Sequence, residues 1–184
     1  MRAKICLVTP GHPSKNPRLV KEADALVEAG FEVTVVAGNY HSWGHEADEQ
    51  YAGREWSLER VTYGPMATTL RRGALSGRKR IAEALLSTIP VEPDFLKRRA
   101  VHWAVPELAQ RASSVKASLY IAHNLPALPA AVSAAQDRGA KVGFDAEDFH
   151  RGQFKSHEME GLNAQLTRWA EEQYIPRCDY VTAA

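Results

Sequence analysis

Three carboxylates and an imidazole fall within six residues of one another, at Asp145, Glu147, Asp148 and His150. Groups of these types, so closely spaced, can bind sugar hydroxyls, act as acid and base, or hold a metal; the alternative is an acidic turn that caps a helix. A second polar pair, His123 and Asn124, follows a short apolar run and precedes Pro126. The histidine there either satisfies local backbone or takes part in a site. A third cluster spans Pro10 to Arg18. In it Gly11 offers a backbone N–H with no side chain in the way, and His12 counts with it as a binding residue. Asn16 can accept hydrogen bonds from the open amides of a helix starting at Pro17, whose partial positive charge suits a phosphate or sugar oxygen. Arg18 either strengthens that field or stands in solvent.

The elements that must position these groups are legible as an alternation of strands and helices. Lys4 to Thr9 is a nearly continuous apolar run, as expected of a central strand buried on both faces of a parallel sheet. Leu19, Val20, Ala23, Leu26 and Val27 fall on one helical face, Gly30 stops that helix, and Phe31 to Ala37 reads as the next parallel strand. The stretch from Gly38 to Ser57 shows no sustained period and reads as a loop or mobile insertion. His41 and His45 within it have metal-pair spacing but no third ligand, so they read as surface residues.

Leu58 to Tyr63 is expected as a third strand, closed by Gly64 and Pro65. The middle, about Ala74 to Ser114, reads as two helices or three short ones broken by Pro90, Pro93 and Pro106, with Ile81, Leu85, Leu86 and Ile89 as one apolar stripe. The alternation then resumes. Strands are expected at Ser118 to Ala122, Lys141 to Phe144 and Tyr180 to Thr182. Helices are expected at Ala127 to Asp137, ended by Gly139, and near Glu158 to Tyr174. About six strands with helices between them predict an α/β fold with a doubly wound, mostly parallel sheet. The three polar clusters then sit at the carboxyl ends of strands one, four and five. These ends share one edge, where such sheets bind ligands.

At 184 residues and 45% hydrophobic the chain suffices for one domain of moderate size, residues 1–184. A formal net charge of +1 gives no case for a nucleic-acid partner. Cys6 and Cys178, far apart in sequence, read as buried small hydrophobes in a reducing cytoplasm. Neither a signal peptide nor a membrane span is visible, so the expectation is a soluble or at most peripheral protein. The first loop lacks G-x-G-x-x-G, which argues against a dinucleotide cofactor bound in the usual manner; a phosphate-binding G-x-x-x-x-G-K-[ST] loop, G-x-S-x-G and D-x-D are missing as well. What is left is a cleft that works by positioning, with few covalent or metal parts.

The segments KICLVTPGHPSKNPRLVKEADALVEAGFEVTVVAG, LYIAHNLPALPAA, VGFDAEDFH and EEQYIPRCDYVTAA, in this order and spacing, resemble the N-terminal domain of family 4 glycosyltransferases of the GT-B fold. The resemblance implies the Rossmann-like N-terminal half of a GT-B enzyme. It implies retaining transfer of a sugar from a nucleotide-sugar donor to a glycan or lipid-linked acceptor, in glycan or cell-envelope polysaccharide synthesis, with no cofactor and no metal. The acceptor would bind mainly to this domain, and a second, C-terminal domain would hold the donor. That domain's paired glutamates, E-x7-E, have no counterpart here, so the isolated chain is expected to be inactive. His123 is then the catalytic candidate near the transferred sugar. Gly11, His12, Asn16 and Arg18 lie near phosphate or acceptor, and Asn124, Asp145, Glu147, Asp148 and His150 bind substrate. The alternative is a non-catalytic binding or assembly module that docks a separate donor-domain protein. From Arg71 to Arg99 there are eight basic residues against three acidic ones. Beside the apolar stripe they raise the expectation of peripheral contact with the inner face of a membrane.

Overall fold

The computed structural model describes residues 2–89, 93–148 and 150–183. Pro90, Glu92 and Phe149, which figure in the helix breaks, the basic segment and the acidic run above, lie outside the described residues.

Six parallel strands form one sheet: β1 (Lys4–Thr9), β2 (Glu32–Asn39), β3 (Ser57–Thr62), β4 (Leu119–His123), β5 (Lys141–Asp145) and β6 (Tyr180–Thr182). Their spatial order is β3-β2-β1-β4-β5-β6. β1 is central as expected, with Cys6 paired to Thr34 of β2 on one side and to Tyr120 of β4 on the other. The order reverses between β1 and β4, and a doubly wound sheet opens its crevice at that point. Because side chains alternate along a strand, β1 feeds two cores. Ile5 and Leu7 pack with Leu19, Val20 and Ala23 of α1 (Pro17–Glu28). Cys6 and Val8 join a larger core on the opposite face. Asn16 caps α1 by accepting from the Leu19 amide at 3.0 Å, and Pro17 takes the first helical position.

Two expectations are corrected. Residues 40–57 are not a loop or insertion but carry α2 (Ser42–Asp48) and a following single turn. This helix buries Gly44 and Asp48 instead of an apolar stripe, so it shows no hydrophobic period to read. The middle of the chain forms three helices: α3 (Thr69–Leu86), α4 (Asp94–Val101) and α5 (Val105–Ser114). In α3 the packed face is Leu75, Ala82 and Leu86, with the last two set against Leu96, Ala100 and Leu166. Ile81 and Leu85 point outward at 62% and 40% exposure, so the expected stripe is split: only its other two members, Leu86 and Ile89, pack inward. After β4 come α6 (Leu128–Gln136) and, beyond β5, α7 (Leu162–Tyr174), which starts a few residues later than the sequence suggested. Burial pushes the Cys6 thiol up to about 12 and that of the half-buried Cys178 up to about 11, so both favour the protonated thiol.

Two glycines test this packing in opposite directions. A Cβ on Gly38 of β2 would run into the Pro10 carbonyl and the Tyr63 ring, whereas one on Gly77 of α3 would meet open space. Gly38→Ala should cost about 2–3 kcal/mol, because a backbone oxygen cannot swing away as a side chain can. Gly77→Ala should gain about 0.5–1 kcal/mol through helix propensity. Urea unfolding of the two variants reads both signs.

Candidate functional site

An open cavity of about 450 Å³ lies at the carboxyl ends of the central strands. Tyr40 and Tyr63, just past β2 and β3, wall it on one side together with His102 and Trp103 from the α4–α5 junction. Asn16, Asn124 and Glu147, from the loops after β1, β4 and β5, wall the other, with Gly11 between. The aromatic side is a continuous packed unit. Tyr40 and Tyr63 stack at 5.2 Å, and Trp103 meets Tyr63 edge-on at 5.7 Å. The Tyr63 hydroxyl donates to the Pro10 carbonyl and so anchors the first loop.

His12 sits fully buried beneath that loop. Its Nδ1–H donates to Asp48 Oδ2 at 2.8 Å, and Nε2 accepts from the amides of Tyr40 and His41, both at 3.2 Å. An aspartate–histidine pair can act as a general base when Nε2 faces substrate. Here Nε2 is occupied by two backbone donors, so the ring works as a tether between the first loop, the end of β2 and α2. Asp48 also accepts from the Ser14 amide at 2.9 Å. The tether requires Gly44, because a Cβ there would lie 2.5 Å from the His12 ring.

His123, the last residue of β4, is also fully buried. Nε2–H donates to Glu22 Oε2 of α1 at 2.6 Å, Nδ1–H donates to Glu147 Oε1 at 3.1 Å, and Asp145 Oδ2 lies 3.6 Å from Nδ1. Burial alone would push the imidazole's pKa down. The bonds to Glu147 and Glu22, with their negative charges, outweigh it and raise the pKa to about 9. Asp145 in turn receives a bidentate Arg18, with Nη2 to Oδ1 at 2.6 Å and Nε to Oδ2 at 2.9 Å. Asn16 Nδ2 donates to Glu147 Oε1 at 2.5 Å. Three carboxylates thus surround two cations just under the polar wall.

Ligand atoms of His123, Asp145 and Glu147 lie within 4.8 Å of one another, close enough to share a metal ion, and no other such trio occurs among the described residues. The positive charge at that point is already supplied by the imidazolium and the guanidinium.

Of the residues singled out in the sequence, Gly11, His12, Asn16, Asn124 and Glu147 line the main cavity, whereas Arg18, His123, Asp145, Asp148 and His150 do not. His123, expected as a catalytic group near the transferred sugar, instead has its ring below the floor with both nitrogens engaged. Asp148 is exposed and borders a smaller space of about 300 Å³ behind the loop, with His150 and Glu171. His150 Nε2 lies 3.3 Å from the Leu125 amide and 3.1 Å from the Ala146 carbonyl; by accepting from Leu125 it ties the loops after β4 and β5 together, and by donating to Ala146 it would instead brace its own loop. Asn124 and Glu147 are the non-glycine residues with positive φ among the described residues, at 72° and 57°. Backbone strain concentrates where a site is over-determined by its surroundings, and both strained residues stand on the polar wall.

Sequence reasoning missed Glu22, Asp48 and the aromatic wall. Glu22 was readable in principle, lying one turn from Arg18 on the same side of α1. His102 carried no signal. Burial, aided by the charge of Lys79, lowers its pKa to about 4. Its Nδ1 accepts from the Ala104 amide at 3.2 Å, so the ring is neutral with its proton on Nε2.

No family model matches the sequence, and no curated protein matches it. Among solved structures, LpCGTa in complex with UDP superimposes with a TM-score of 0.58 at 12% identity, over 100% of this chain and 46% of that one. The glycotransferase of kitacinnamycin gives 0.48 at 11% identity, over 94% of this chain and 38% of the other. UGT2 of Phytolacca americana, complexed with UDP-2fluoro-glucose and pterostilbene, gives 0.42 at 13%, over 82% and 32%. The chain spans less than half the length of each of these structures. Its six-stranded α/β sheet is the Rossmann-like fold found in GT-B glycosyltransferases.

The raised pKa of His123 fixes the sign of a pH dependence. A group whose pKa is higher in the folded state adds stability that is fully present below its unfolded value, near 6.5, and is lost as pH rises through about 9. Denaturant unfolding should therefore show stability falling between pH 6.5 and 9.5. In His123→Gln that fall should disappear. At pH 6.5 the variant should be less stable by about 3 kcal/mol, the lower end for breaking a buried ion pair, because Glu22 is itself 32% exposed.

Proposed function

We propose that this chain is the acceptor-side domain of a glycosyltransferase that moves a sugar from a nucleotide-sugar donor to a glycan or lipid-linked acceptor. The observation that carries the reading is the pairing of a GT-B-type α/β fold, superimposable over its whole length on less than half of a UDP-bound structure, with a cavity at the switch point of the sheet. A second domain, outside these 184 residues, would hold the nucleotide and close over that edge. The four sequence segments resembling family 4 favour the retaining branch, in which acceptor and donor are held on the same face while the departing phosphate is stabilised.

Within this mechanism the chain's residues position and exclude water. Glu147 and Asn124 present polar groups to the acceptor, and Gly11 lets backbone approach the transferred group. His123 acts through Glu147, whose carboxylate it fixes, and so is a positioning residue. No resident metal or cofactor is proposed, because in the one trio among the described residues that could hold an ion Asp145 is already paired with Arg18, and His123 is itself a cation that donates to Glu147. The exposed face of α3, with Leu70, Ile81 and Leu85 flanked by Arg71, Arg72 and Arg80, supports peripheral contact with an anionic membrane, as does exposed Phe95 of α4. Among the described residues no helix is long and apolar enough to cross a membrane.

Three measurements test the reading. The purified 184-residue chain should transfer no sugar and should bind nucleotide sugars no tighter than about 1 mM, since half of the enclosing cleft is missing. The full-length gene product should turn over a nucleotide sugar and form, as its first product, the anomer of the donor by proton NMR; an inverted anomer would remove the family 4 assignment. In flotation assays the chain should rise with vesicles containing phosphatidylserine and stay behind with phosphatidylcholine alone. Equal recovery with both would remove the membrane contact.

A further inference from the structure

The two walls of the main cavity differ in chemistry, and the difference specifies what fits between them. On the aromatic side, Tyr40 and Trp103 are only partly buried while the Tyr63 ring behind them is packed away, so their surfaces are the ones left to a ligand. On the polar side, Glu147 Oε1 already accepts from Asn16 and His123, while no donor among the described residues reaches Oε2. The carboxylate is thus fixed in direction by one oxygen and open at the other. Asn124 stands beside it with its backbone held at φ 72° and its amide donating to the Asp145 carbonyl at 3.1 Å.

A ligand with one apolar face and several hydroxyls on the other side satisfies both walls at once. We propose that the acceptor group seated here is an uncharged pyranose ring, its C–H face resting on Tyr40 and Trp103 and its hydroxyls hydrogen-bonding to Glu147 and Asn124. The proposal rests on the acceptor-side reading above and names its substrate class. A phosphoryl group in the same place would meet the Glu147 carboxylate. One cation, Lys15, also lines the cavity, with its ammonium 4.4 Å from the centre of the Trp43 ring, and the phosphate control below tests whether it turns inward. A flat aromatic ring would satisfy the Tyr40–Trp103 wall but leave the polar wall desolvated with few partners. The volume, about 450 Å³, is within the range of small-ligand sites.

The test is titration of the 184-residue chain with methyl glycosides of the common hexoses, with a flat phenol and inorganic phosphate as controls, followed by tryptophan fluorescence and amide NMR. At least one methyl hexoside should bind saturably with a Kd on the order of millimolar, with shifts centred on Tyr40, Trp103, Asn124 and Glu147. Glu147→Gln and Trp103→Leu should each weaken it about tenfold or more, the loss of one charged hydrogen bond or one stacking face. If either variant loses its fold, the wild-type shift map alone decides the location. Binding of phenol or phosphate without any glycoside overturns the proposed class. Glycoside binding that neither substitution changes, or that maps elsewhere, overturns the site while leaving the transferase reading intact. Failure of every glycoside to bind overturns the proposal. Conversely, a glycoside bound at Glu147 and Trp103 in a gene product that turns over no nucleotide sugar would retain the ring site and remove the transferase.

Discussion

An imidazolium at the end of β4, with no water in contact, needs anionic neighbours or must lose its proton, and this requirement organises the carboxyl edge of the sheet. His123 recruits Glu22 from the first helix and Glu147 from the loop after β5, and lies near Asp145, so three segments distant in sequence are fixed to one ring. Asp145 then holds Arg18, which returns the connection to α1. The network leaves one extra negative charge across three carboxylates and two cations. That excess is expressed at the cavity through Glu147, the member of the network that also lines it. In a transferase, a negative potential at this wall would stabilise the positive charge that develops on a sugar in transfer.

The two fully buried histidines solve different problems with the same ring. His12 is satisfied as a neutral donor and acceptor by one carboxylate and two amides. His123 donates from both nitrogens. The first arrangement fixes backbone and therefore the shape of the Gly11 loop; the second fixes charge and therefore the direction of Glu147. Shape and charge at the cavity are set by separate parts, which allows either to change while the other persists.

The sheet was legible because parallel strands buried on both faces write continuous apolar runs, and because Gly30 and Gly139 both adopt the positive φ that ends a helix. The convergence of the loops after β1, β4 and β5 followed from topology alone. What the sequence hid had one cause: contacts made by polar or small residues have no period. α2 packs through Gly44 and Asp48, and so looked like a loop. In α3, alanine at position 82 does the packing while Ile81 beside it stays outside, and hydrophobicity points to the wrong face. His123 was placed correctly at the strand end. Only the partners Glu22 and Glu147 reveal that the ring lies beneath the cavity instead of in it.

The central position of β1 also shapes how the chain comes to be folded. One edge of β1 is covered early by β2, about thirty residues later, but its other edge must wait for Leu119–His123. During synthesis on the ribosome the strand that anchors both cores therefore presents a row of open amides and carbonyls while more than a hundred further residues emerge. Non-local parallel pairing of this kind is slow and exposes apolar surface to other chains. Of the helices between the two halves of the sheet, α5 can settle at once on β1 to β3 through Leu108 and Ala112, whereas the faces of α3 and α4 that meet Leu166 stay open until α7 has emerged.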